Sequence, residues 1–73
     1  MNAEHLIRMA NQIGTFFESQ PDRIEALEGI ATHLKKFWEP RMRREFLAAL
    51  DADGEGVHPL VREALDKHRT LVA

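Results

Sequence analysis

Apolar residues recur along this chain in four runs, each at helical spacing and each closed by residues that break a helix. The broadest stripe lies between Gln20 and Arg44. There Ile24, Leu27, Ala31, Leu34 and Trp38 follow one another at steps of three, four, three and four. Ile30 and Phe37 widen the stripe, and Glu25, Glu28, Thr32, Lys35, Lys36 and Glu39 take the other face. The spacing predicts a helix from about Asp22 to Glu39. A face so broad must be buried, against the chain's own helices or against another protein.

The first run predicts a helix from about Ala3 to Glu18, with Leu6, Ala10, Ile13 and Phe17 on one face and Met9 and Phe16 flanking it. Gly14 inside it costs about 1 kcal/mol relative to alanine, a cost that close approach of a neighbouring helix would explain. Ser19-Gln20-Pro21-Asp22 breaks the pattern: proline suits a first helical turn, and Asp22 complements the dipole there. Pro40 ends the second helix and opens a third, to about Leu50, with Met42, Phe46, Leu47, Ala49 and Leu50 apolar. Asp51 to Gly56 reads as a loop. A fourth helix runs from near Pro59 to about Thr70, after which the chain is expected to fray. Leu60, Ala64 and Leu71 share a face there, with Val61, Leu65 and Val72 beside it. No stretch alternates at strand spacing. The expected fold is all-α, a small bundle of about four short amphipathic helices, as one helical domain over residues 1–73.

At 73 residues with no cysteine, the chain has neither disulfides nor thiolate metal ligands to support a small core. Stability must come from helix packing or from a partner. The cysteine-free composition fits a reducing, cytoplasmic setting. No run of about 18 apolar residues spans a membrane, and Met1 to His5 is no basic leader of a secretory signal. Ten basic against twelve acidic residues give a net charge of −2, which argues against a dedicated nucleic-acid binder.

Catalytic chemistry finds little to work with. Ser19, the sole serine, stands at a turn with no histidine placed to activate it, and reads as a cap. His5, His33, His58 and His68 include no metal-binding pair one helical turn apart. Asp51, Asp53, Glu55 and Gly56 begin like a calcium loop, but the twelfth position is Arg62 where a bidentate glutamate is required. The loop therefore reads as plain and solvated.

Two polar residues fall on apolar stripes. His68 reads as a satisfied core or boundary histidine. For Arg43 there are two readings: its stem packs and its head reaches water, or it pairs with a carboxylate across an interface. It belongs to a cluster of five cations in ten residues, Lys35, Lys36, Arg41, Arg43 and Arg44, around Phe37 and Trp38. Aromatic residues, methionine and arginine together mark interface cores. Phe37, Trp38, Arg41, Met42, Arg43 and Arg44 are thus the candidate partner interface. The alternative is a nucleic-acid-binding module, with the cations between Lys35 and Arg44 on phosphates and the aromatics stacking on bases.

An ordered set of segments resembles the delta subunit of soluble, NAD-dependent, molybdenum-containing formate dehydrogenase. It comprises residues 6–14 (LIRMANQIG), Phe16-Phe17, Pro21-Asp22-Arg23, Gly29-Ile30-Ala31, His33-Leu34, residues 37–44 (FWEPRMRR) and residues 59–65 (PLVREAL). Together they cover nearly the whole chain. The resemblance implies a non-catalytic accessory subunit of a cytoplasmic complex that oxidises formate to CO2 with NAD. The alpha subunit, the expected partner, would carry bis-molybdopterin guanine dinucleotide and iron–sulfur clusters. Beta and gamma subunits would carry FMN, the NAD site and further clusters. It implies no catalytic residue, cofactor or metal on this chain, which without cysteine could ligate no cluster through thiolates.

Overall fold

The computed structural model describes residues 2–73; Met1, read above with the N-terminal segment, lies outside them. It contains four helices: α1 (Ala3–Phe17), α2 (Arg23–Phe37), α3 (Pro40–Ala52) and α4 (Pro59–Val72), with no strand among the described residues. The all-α expectation holds. Each helix starts for a local reason. Asn2 and Asp22 accept backbone N–H groups of the first turns of α1 and α2, at 2.7 Å from Glu4 and 2.9 Å from Ile24. Pro40 and Pro59 sit at the first positions of α3 and α4, where a missing N–H does no harm. The α3 helix runs two residues past the expected Leu50, so the following loop is shorter.

The α2 and α4 helices share the most extensive helix–helix contact, and α1 packs against all three other helices. One contiguous core results, centred on Leu6, Ile30, Leu34, Phe46, Val61 and Leu65, all fully or almost fully buried. Gly14 is where α1 comes close to α4: a Cβ there would lie 2.7 Å from Val61 Cγ2 and 3.0 Å from His58 Cγ. Gly29 does the same for α2, because the Phe17 ring covers it and would stand 2.4 Å from an added Cβ. Both glycines yield helix propensity for proximity.

Several edges of the predicted stripes differ in the structure. Ile24 has the right spacing but stands in the first turn of α2, 69% exposed, where the stripe runs on beyond the packed core. Val72 is fully buried, so the last turn of α4 is anchored where fraying was expected, and Leu71 faces outward. A kink at half-buried His68 (φ −122°, ψ 28°) precedes that turn.

Candidate partner-binding surface

The α2–α3 corner is built around a change of backbone direction at Trp38. Trp38 leaves the helix with extended dihedrals (φ −94°, ψ 137°), and its N–H still bonds the Leu34 carbonyl at 3.1 Å. The turn carries its ring inward, edge-on to Phe46 at 5.7 Å between centroids. Phe37, one residue earlier, is left 72% exposed, with its ring tilted against His33 at 4.8 Å.

Arg43 also turns inward. It is only 8% exposed, and its Nη1 donates to the Lys35 carbonyl at 2.8 Å. Within this chain the residue is largely buried, and its hydrogen bond goes to a backbone carbonyl where the sequence reading expected water or a partner's carboxylate. The carbonyl it satisfies lies in the last turn of α2, where a cation complements the dipole. Its Nε is buried without a partner. Of the six candidate interface residues, then, Trp38 and Arg43 belong to the interior of this chain. Phe37, Arg41 and Arg44 are exposed and Met42 is half-buried. Arg41 pairs with Glu45 one turn on, at 3.3 Å.

Beside the corner, α1 and α2 leave an open groove of about 400 Å³ lined by Met9, Gln12, Ile13, Phe16, Phe17, His33 and Trp38. Phe16, on its rim, is 72% exposed and edge-on to Phe17 at 5.2 Å. The sequence reading placed Phe16 and Phe17 on or beside the core face. Consecutive residues point about 100° apart on a helix, so of this adjacent pair Phe17 turns toward the core and Phe16 falls at the outer edge of the stripe.

The remaining polar contacts hold the fold together. His58 receives the Leu60 N–H on Nδ1 at 3.0 Å, so the neutral ring carries its proton on Nε2, which lies 2.8 Å from Glu18 Oε2. The His58 backbone N–H donates to Asn11 Oδ1 at 2.8 Å, and Asn11 Nδ2 donates to the Gly56 carbonyl at 2.7 Å. Sequence reasoning missed this network because its members are far apart in the chain.

The acidic loop is closed by arginine side chains. Arg69 pairs with both oxygens of Asp51, at 2.9 and 2.5 Å, and Arg62 donates to the Gly54 carbonyl. Arg62 occupies the position where a calcium loop has its glutamate. Among the described residues, no group of three or more His, Cys, Asp or Glu could hold a metal ion, and no helix is long and apolar enough to cross a membrane. Arg23 pairs with Glu63 across α2 and α4, and the hydrogen bond from this guanidinium holds the Glu63 carboxyl below its usual range.

Comparison with curated proteins and with solved structures gives no significant match. The family model for the NADH-dependent formate dehydrogenase delta subunit FdsD matches residues 5–65. That span takes in all but the first two residues of α1, then α2, α3, the corner, the groove and the first half of α4. The chain belongs to the FdsD family, the delta subunits of NADH-dependent formate dehydrogenase.

Proposed function

We propose that this chain is a non-catalytic accessory subunit that supports assembly, cofactor loading or stability of its formate dehydrogenase by binding the large, molybdenum-containing alpha subunit. The observation that carries this reading is Phe37, which stands 72% exposed on a corner whose neighbours Trp38 and Arg43 are fixed in the core. Arg41, Met42 and Arg44 flank it. An aromatic ring held out by a rigid support, beside arginine and methionine, is the composition of an interface anchor. Beta and gamma subunits complete the complex in a cytoplasmic setting, with the molybdenum centre and iron–sulfur clusters on the alpha subunit and FMN, the NAD site and further clusters on beta and gamma. A partner that binds only the folded state also adds stability to a small core by mass action. A nucleic-acid-binding role is less well supported, because Trp38 and Arg43, which it would use for stacking and phosphate contact, are buried.

Co-purification tests this. A tagged chain drawn from its native host should bring down the formate dehydrogenase subunits, and Phe37→Ser with Arg44→Ala should reduce their recovery while helicity stays unchanged. Full recovery with the double variant through high-salt gel filtration would remove the corner as the contact.

A further inference from the structure

We infer that the groove between α1 and α2 receives the apolar side of a helix from another subunit of the complex, one whose edge carries acidic residues. This rests on the accessory reading above and adds the chemistry of the segment that is bound.

The lining decides the class of occupant. Its polar groups are those of Gln12 and His33 and the indole N–H of Trp38, and no carboxylate lines it. These are few to orient a small cofactor, and at about 400 Å³ the open groove is near the low end of small-molecule sites. Apolar side chains inserted from a partner suit it better. Met9, Ile13 and Phe16 lie at i, i+4 and i+7, a ridge of two helical turns, about 10 Å long. Anchors at this spacing are how an amphipathic helix seats in a groove. Phe16 on one wall, and Phe37 tilted against His33 of the other, are two of the largest exposed apolar side chains among the described residues.

Charge sets the flank. Arg8 precedes Met9 and lies one turn before Gln12, while Lys36 precedes Phe37 and lies one turn beyond His33. Both are exposed, and neither has a carboxylate partner among the described residues. Two unanswered cations beside an apolar groove favour a segment with Asp or Glu at its margins. Membership in a family of formate dehydrogenase subunits makes another subunit of that complex the source of the segment.

The test is made on the assembled complex. Benzoylphenylalanine in place of exposed Gln12 should photo-crosslink to one helical segment of another subunit, with large apolar residues at helical spacing and Asp or Glu beside them. The same group at exposed Glu28 should give no such product. Phe16→Ser should weaken binding about thirtyfold, the loss of one anchor, with an unchanged melting curve. Arg8→Glu with Lys36→Glu should weaken it further, more so at low salt. Crosslinking of Gln12 to a second copy of this chain or to a polar loop would overturn the inference, and so would wild-type binding by Phe16→Ser. If wild-type chain brings down no formate dehydrogenase subunit, the accessory reading itself falls. If wild type and Phe16→Ser are retained equally, only the groove does.

Discussion

Arg43 Nη1 donates to the carbonyl of Lys35 at 2.8 Å, tying the first turn of α3 to the last turn of α2. The residue is only 8% exposed, no carboxylate pairs with it among the described residues, and its buried Nε has no partner among them. Burying a charge on these terms is unfavourable, so the helix-end carbonyl it satisfies and the packing of its stem must offset the desolvation.

That relationship separates two neighbouring arginines. Arg43→Ala should lower stability by about 1.5–3 kcal/mol, the range for a hydrogen bond from a charged donor. Arg44→Ala, on the exposed side of α3, should stay within about 0.5 kcal/mol. Urea denaturation of the two variants measures the difference, and equal values would show that Arg43 does not hold the corner.

Gly14→Ala sets helix propensity against packing. Alanine gains about 1 kcal/mol within the helix. The new methyl would lie 2.7 Å from Val61 Cγ2 and 3.0 Å from His58, both anchored in the fold. Overpacking costs about 1–3 kcal/mol, so the net effect is destabilising, by up to about 2 kcal/mol. A raised melting temperature would mean that α1 and α4 move apart at little cost.

The His58 ring should show a single tautomer. Its Nδ1 accepts the Leu60 N–H, which leaves Nε2 to carry the proton toward Glu18. Nitrogen-15 NMR of the neutral ring should report protonated Nε2 and bare Nδ1. Because this ring caps α4, His58→Ala should cost about 0.5–2 kcal/mol. A protonated Nδ1 would mean the cap is absent in solution.

Glu63 gives the pH dependence a sign. Its carboxyl is held low by the hydrogen bond from Arg23. A group depressed in the folded state contributes stability above its unfolded value, about 4.3, and loses it as pH falls through the lower folded value. Glu63→Gln should therefore melt slightly below wild type at neutral pH and converge with it in acid. The difference should be small, and smaller still at high salt, because the pair is solvent-accessible. A gap that widens in acid would contradict the pairing.

Much of the fold could be read from sequence because periodicity and prolines are local. Apolar spacing located four helices, and Pro21, Pro40 and Pro59 marked where three of them begin. The candidate surface was less legible. A helical wheel places Trp38 on the stripe only while the backbone remains helical, and the extended turn there alters where Trp38 points, while Phe37, still helical, falls on the exposed side. Arg43 lies on the buried stripe with Phe46, Leu47 and Leu50, but its partner is a backbone carbonyl, which has no sequence signature. The groove is shaped by two helices at once, so neither periodicity alone reveals it.

The most direct test of a non-catalytic role is formate-dependent NAD⁺ reduction, normalised to molybdenum content, by the complex with and without this chain. An accessory subunit leaves turnover per loaded centre nearly unchanged, while the yield, stability or cofactor loading of the complex falls. A loss of about a hundredfold at equal loading, about 2.7 kcal/mol of transition-state stabilisation, would place this chain at the chemistry and contradict that role.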